Sequence, residues 1–233
     1  MGAIVLARRH GQRVVPPMHC FITGTDTNVG KTFVTGLLLE ALRREGIKAV
    51  GYKPVAAGDR TDAAVILHAC NEADLTLDEV NPVFFKAPAA PYVASLLENR
   101  PVNVEAMKLG FAHLSARFPS VLVEGACGWE VPLTAKQTMA DFAQELALPV
   151  IVVVNNKLGA LNHTILTVKN IQARGMTCAG VILNHVGDER DTASISNRAM
   201  IEQFLGVPVI TEVMHGETDV LLPHWWQERP LES

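Results

Sequence analysis

A doubly wound α/β domain, with a mostly parallel sheet covered by helices on both faces, is the fold that this sequence predicts. Three observations carry the prediction. Short continuous apolar runs recur along the chain, and such runs mark strands buried on both faces, as in a parallel sheet. Longer amphipathic stretches separate the runs and supply the crossovers. A length of 233 residues, with 48% hydrophobic against 19% charged content, suits one compact core.

The elements follow in order. Residues 20–23 read as a buried strand ending at Gly24. A helix is expected over 32–45, closed by Gly46 where a helix C-terminus favours glycine. Residues 48–52 form the second strand, with Lys53-Pro54 at its carboxyl end. Asp62 then opens an apolar helix over 63–69. The stretch from about Asn71 to Pro101, rich in Pro, Ala and Asn, reads as an ordered excursion at the sheet edge. Helices over 104–117, 139–146, 161–173 and 194–205 alternate with strands over 121–123, 150–154, 181–183 and 208–210. No internal repeat or interdomain linker interrupts them, so residues 18–233 are expected to form one domain.

The first 17 residues carry Arg8, Arg9 and Arg13 but no sustained apolar stretch, as a secretory signal or membrane span would need. They read as a loose N-terminal extension before a working start at Met18, and the protein is expected to be cytoplasmic. Cys20, Cys70, Cys127 and Cys178 are widely spaced, without the CxxC pair of a zinc ribbon or redox site. Scattered thiols fit a reducing compartment. A net charge of -4 offers no basic footprint, so neither nucleic acid nor a membrane is expected as partner. Trp225-Trp226 reads as tail packing.

In an open parallel sheet, ligands gather beyond the carboxyl ends of the strands. The loop there after the first strand is Gly24-Thr25-Asp26-Thr27-Asn28-Val29-Gly30-Lys31-Thr32. Gly30 allows the backbone to approach a phosphate, Lys31 supplies a cation, and Thr32 supplies a hydroxyl for Mg²⁺. Five residues separate Gly24 from Gly30, one more than in the common phosphate loop, and Thr25 stands where that loop has its first glycine. Its place between a buried strand and a capped helix still marks a P-loop NTPase-type fold and a user of ATP or GTP.

Mg²⁺ needs further hard oxygen ligands, and Glu124 stands at a strand end where it can provide one. From local sequence alone, Asp62 is a helix N-terminal acid favoured by the helix dipole. Lys53 alone would be a solvated surface group, but with Lys31 it could neutralise charge on a transferring phosphoryl group. The turn at Gly159 is either a carboxylate-binding helix N-terminus or a plain loop-to-helix connection. No HExxH, GxSxG or GxGxxG is present, which removes support for metalloprotease, serine hydrolase and nicotinamide-cofactor readings.

Taken together, the motifs resemble the dethiobiotin synthase family. The resemblance rests on the long P-loop, Gly51-Tyr52-Lys53-Pro54-Val55-Ala56, Val123-Glu124-Gly125-Ala126, Lys157-Leu158-Gly159-Ala160-Leu161-Asn162-His163, and Asn184, in the family's order from Met18 to about Gly216. It implies an ATP-dependent cyclo-ligase of biotin synthesis that joins CO₂ to 7,8-diaminopelargonate, with Mg²⁺ as cofactor. The expected products are dethiobiotin, ADP and phosphate. Carried over residue by residue, Asn28, Val29, Gly30, Lys31, Thr32 and Phe33 would wrap the nucleotide phosphates. Thr32, Asp62 and Glu124 would hold the metal. Lys53, Lys31 and Thr27 would be catalytic. Asp62, Glu124, Gly125, Ala126, Cys127, Asn184 and His185 would complete the nucleotide site. Thr27, Lys53, Ala57, Gly159, Ala160, Leu161 and Asn162 would bind substrate, the last four at a homodimer interface.

The chain departs from the family's pattern at several places. Asn28 stands where glutamate is frequent, and Ala57 replaces the usual serine. Cys127 replaces the second glycine of a Glu-Gly-Ala-Gly-Gly run, and Val213-Met214-His215 lacks the usual proline. The alternative is a nucleotide-switch ATPase of the partitioning and cluster-assembly class. Those proteins carry an extra lysine at the start of the loop, where this chain has Thr25 and Asp26.

Overall fold

The computed structural model describes residues 18–188, 191–220 and 222. Both the N-terminal extension of 1–17 and Trp225-Trp226 lie outside them. In chain order the elements are β1 (Cys20–Gly24), α1 (Lys31–Arg44), β2 (Ala49–Tyr52), β3 (Val55–Ala57), α2 (Thr61–Cys70), α3 (Leu77–Val80), β4 (Val83–Phe85) and α4 (Pro91–Leu97). There follow α5 (Val104–Arg117), β5 (Ser120–Glu124), α6 (Met139–Leu146), β6 (Val150–Asn155), α7 (Ala160–Ala173), β7 (Cys178–Asn184), α8 (Thr192–Leu205) and β8 (Val209–Val213).

The main sheet has the order β2-β5-β1-β6-β7-β8, and all its pairings are parallel. Because parallel crossovers are right-handed, the step from β1 out to β2 carries α1 to one face, and the steps back across the sheet carry the later helices to the other. Packing agrees for the far side, where α7 lies against α8 and Phe21 of β1 meets Phe142 of α6 edge-on at 6.4 Å; α2, in the segment after β3, is the exception and packs on α1. The neighbours β1 and β5 therefore send their helices to opposite faces, which opens a crevice at their carboxyl ends. Burial on both faces explains the apolar runs: every residue of β1, β2 and β5 is buried.

The helix after β1 begins one residue earlier than the sequence indicated and ends in the expected manner. Gly46 N–H bonds to the Arg43 carbonyl and Ile47 N–H to that of Leu42, which together make a Schellman cap. Strand β7 is longer than the apolar core at 181–183, because Gly180 breaks the run without breaking the strand. The excursion of 71–101 is ordered. It contributes α3, β4 and α4, and β4 pairs in parallel with β3 in a separate two-stranded sheet. These strands of three residues each are too short for their pattern to show in the sequence.

A capping box fixes the start of α3. Glu79 N–H donates to Thr76 Oγ1 at 3.3 Å, and Glu79 Oε2 accepts from Thr76 N–H at 2.8 Å. The Thr76 hydroxyl foremost, and Arg117, hold the Glu79 carboxyl down at about 2, against 4.5 ordinarily. A depressed carboxyl stabilises the fold above its unfolded value and loses that contribution as pH falls through its folded one. The melting-temperature gap between wild type and Glu79→Gln is therefore expected to be full above pH 4.5 and to close as pH falls towards about 2.

Candidate active site

The loop between β1 and α1 is held by bonds to the sheet and by bonds within itself. Thr25 N–H donates to the Val153 carbonyl at 3.1 Å, and Thr27 N–H to Asp26 Oδ1 at 2.7 Å. Asn28 has φ of 59° and Gly30 of 89°, both left-handed. Asparagine tolerates that region better than most residues, which suits its presence at 28. At Gly30 no side chain fits, since a Cβ would lie 2.1 Å from Asn184 Nδ2. Asn184, at the end of β7, donates from Nδ2 to the Val29 carbonyl at 2.9 Å and so ties the loop to the sheet. The chain then enters α1 with its free N–H groups facing the crevice, the arrangement that binds anions.

Three walls enclose a cavity of about 360 Å³ at this crevice. Thr27, Asn28, Gly30, Lys31, Thr32 and Phe33 form the first, Lys53, Ala57 and Asp62 the second, and Ala126 and Cys127 the third. Sequence reasoning missed Ala56, Asp59, Ala89 and Pro91, which also line it. Ala89 and Pro91 belong to the excursion, whose sequence has no period to follow. Asp59 sits in the loop before α2, and nothing local distinguishes it from a solvated acid.

At the inner end of the cavity, charged groups converge. Lys53 Nζ donates to Glu124 Oε1 at 2.6 Å and to Asp62 Oδ2 at 2.9 Å. Thr32 Oγ1 lies 2.8 Å from Glu124 Oε1, and Thr35 Oγ1 lies 2.7 Å from Glu124 Oε2. Glu124 is wholly buried, and these partners offset the cost of burying its carboxylate. Burial by itself would lower Lys53, but Glu124 and Asp62 outweigh it and hold the ammonium above its ordinary value. The same pairing overcomes burial at Asp62 and holds its carboxyl low. Lys31 differs. Burial first, and the charge of Lys53 second, hold its ammonium below the usual range, and Nζ rests on the Asp26 carbonyl at 2.9 Å. Two buried ammoniums beside an N-terminal helix turn are poised for a highly charged anion.

The same cluster has the chemistry of a metal site. Thr32, Asp62 and Glu124 present hard oxygens at one spot, and the two carboxylates already share a single cation, the Lys53 ammonium. Mg²⁺ is usually held by one or two carboxylates with substrate phosphates and water, so this donor set fits it.

The remaining candidates stand apart from the cavity wall. Val29 is buried beneath the loop, where a Cβ on Gly24 would meet its side chain at 2.7 Å. Gly125 turns to the core, its N–H bonded to the Ile22 carbonyl at 2.9 Å. Asn184 lies behind Gly30. His185 is buried beside it, with Nε2 at 3.2 Å from Asn156 Nδ2 and 3.4 Å from Glu212 Oε2. Gly159 and Asn162 are exposed, Leu161 is half-buried, and Ala160 is buried at the start of α7, all beyond the carboxyl end of β6. Leu158, next to them, is 78% exposed. Cys127 has φ of 52°, which accounts for glycine as the frequent residue there.

A glycine-gated loop at the switch point of a parallel sheet, running into buried lysine and carboxylate partners, defines a P-loop nucleotide-binding α/β protein. Among solved structures, the fold is similar to a ParA family ATPase from Chlorobium tepidum TLS, with a TM-score of 0.52 and 12% identity over 87% of this chain and 85% of that one. It is likewise similar to the septum site-determining protein MinD, complexed with Mg-ADP, from Pyrococcus horikoshii OT3, with a TM-score of 0.52 and 18% identity over 84% and 82% of the two chains. At such identities the likeness is one of fold alone. A family model described as an AAA domain matches residues 19–217. The ATP-dependent dethiobiotin synthetase of Akkermansia muciniphila is 47% identical over 86% of this chain and 96% of its own length. The Serratia marcescens protein of the same name is 44% identical over 72% and 77%. The chain belongs to the ATP-dependent dethiobiotin synthetase family.

Proposed function

We propose that this protein forms dethiobiotin from 7,8-diaminopelargonate, CO₂ and ATP, as a cyclo-ligase of biotin synthesis. One amine captures CO₂ as a carbamate and gives up a proton. A carbamate oxygen then bonds to the γ-phosphorus of ATP as the bond to the ADP oxygen breaks. The second amine attacks the carbamoyl carbon, loses a proton, and expels phosphate as the ureido ring closes. Water must be kept from the mixed anhydride meanwhile, which favours a walled cavity over an open groove.

The observation that carries this reading is the convergence of Lys53, Asp62, Glu124 and Thr32 at the inner end of the cavity beneath the P-loop. Residues 28–33 would wrap the phosphates, with Ala126, Cys127, Gly125, Asn184 and His185 completing the nucleotide site. Thr32, Asp62 and Glu124 would hold Mg²⁺, which when bound neutralises phosphate charge. Lys31 and Lys53 would offset the charge that builds on the transferring phosphoryl group, with Thr27 beside the carbamate. Ala57 offers substrate a backbone contact without a hydroxyl. The exposed turn at Gly159–Asn162 would receive the substrate carboxylate from a second copy in a homodimer; its exposure and the free N–H groups of a helix start support this. The four free thiols support a cytoplasmic setting. Among the described residues, no helix is long and apolar enough to cross a membrane.

Omission assays test the proposal. Phosphate release is expected only when protein, diamine, bicarbonate and MgATP are all present. Release that ignores the diamine would contradict ring closure and favour a nucleotide switch.

A further inference from the structure

We infer that Asn81 and Arg60, outside the cavity wall, are positioning residues that set Lys53 against Asp62. Strand β2 is an edge of the main sheet and pairs only with β5, so the groups of Lys53 just beyond it need partners from elsewhere. The excursion provides them. Lys53 N–H donates to the Val80 carbonyl at 2.8 Å, and Asn81 Nδ2 donates to the Lys53 carbonyl at 2.8 Å. Pro54 follows and has no N–H of its own, so these two bonds fix how the chain leaves the strand. Asn81 is only 1% exposed, and its second amide proton goes to the Val83 carbonyl at 3.0 Å.

The oxygen of that amide faces the other half of the pair. Asn81 Oδ1 accepts from Arg60 Nε at 3.1 Å, and Arg60 also donates to the carbonyls of Asn81 at 2.8 Å and Leu77 at 3.0 Å. Arg60 is the residue immediately before α2, and Asp62 lies in the first turn of that helix. One buried amide thus clamps the backbone under Lys53 with one end and the helix that carries Asp62 with the other. Lys53 and Asp62 sit nine positions apart, joined by the three-residue strand β3, which pairs only with β4, and by the loop after it. The short β3–β4 pairing holds the segment between them, and the clamp adds the bonds that tie its two ends, and so the 2.9 Å contact, together. Placement of a catalytic group within about 0.5 Å depends on such supporting bonds. This gives the excursion a role that its irregular sequence did not announce.

The inference rests on the proposed reaction, and the test separates the two. In Asn81→Ala, kcat for dethiobiotin formation is expected to fall about tenfold or more, while the Kd for MgADP changes less than about threefold. A residue that only stabilised the fold would lower the melting temperature and leave kcat of the folded enzyme alone. Arg60→Lys, which cannot reach all of those acceptors, is expected to behave alike and serves if Asn81→Ala does not fold. Crystals of either variant are expected to show Lys53 Nζ beyond about 4 Å from Asp62. An unchanged kcat in a folded variant, or an unmoved Lys53, would overturn the inference. If the wild type makes no dethiobiotin, the functional reading fails by itself, and the Lys53–Asp62 separation in the variant still decides the role of the clamp.

Discussion

Lys53→Ala is expected to cost dethiobiotin formation at least about 10³-fold while MgADP binding persists. The size of the effect follows from where Lys53 sits. Its ammonium contacts both carboxylates of the proposed metal site, and Lys53 is 3% exposed. In the proposed site a cation fixed there would face the γ-phosphate without having to shed water at the moment of transfer. Cations that play this part in phosphoryl transfer contribute about 10³ to 10⁵ in rate. Nucleotide affinity should be largely spared, because in the proposed site the P-loop, Lys31 and the α1 N-terminus would hold the phosphates independently. Stability should fall as well. Glu124 would lose its buried counter-charge, and breaking a buried pair costs about 3–5 kcal/mol. Lys53→Gln, which keeps a donor to Glu124, serves as the milder variant. Initial rates with a parallel calorimetric titration of MgADP check the split, and unaltered turnover would remove Lys53 from the mechanism.

Gly30→Ala is expected to produce the largest loss of nucleotide binding. Two costs combine. A residue with a Cβ at φ of 89° carries strain of about 1–2 kcal/mol. The new methyl would also overlap Asn184 Nδ2, at 2.1 Å, and force it from the Val29 carbonyl. Leaving that buried amide unpaired costs about 1–3 kcal/mol. Their sum, about 2–5 kcal/mol, corresponds to a loss of affinity of at least roughly 30-fold if it falls on the bound state. The same substitution should disturb the base side, because Asn184 links the loop to the end of β7. Calorimetry with MgADP checks this, and wild-type affinity in Gly30→Ala would mean that the loop opens before it binds.

The two positions were unequally visible in the sequence. Gly30 could be read because its neighbours Lys31 and Thr32 carry a known chemistry between a strand and a helix. Lys53 and Glu124 could be placed because each follows an apolar run, and a parallel sheet delivers such positions to one edge. Asp62 was different. Local pattern made it a helix-start acid, and only the fold over the irregular loop brings it to 2.9 Å from Lys53. Thr35 was hidden inside an ordinary helical pattern, although its hydroxyl lies 2.7 Å from Glu124. Asn81 and Arg60 were illegible for a related reason. Their value lies in backbone groups far along the chain, and neither pattern nor spacing records a hydrogen bond to a carbonyl.

The departures at Asn28 and Cys127 gain a physical meaning from the backbone. Both sit at positive φ, at 59° and 52°. Asparagine suits that geometry, whereas Cys127 bears strain that glycine would not. Cys127 is also one of the cavity wall residues, so its Cβ shapes that wall directly.

In the proposed reaction, ATP cleavage serves ring closure. The most direct test counts both products in one reaction, with dethiobiotin by mass spectrometry and phosphate by a coupled assay. One dethiobiotin is expected for each phosphate released. Phosphate that accumulates at the same rate without dethiobiotin would contradict the account.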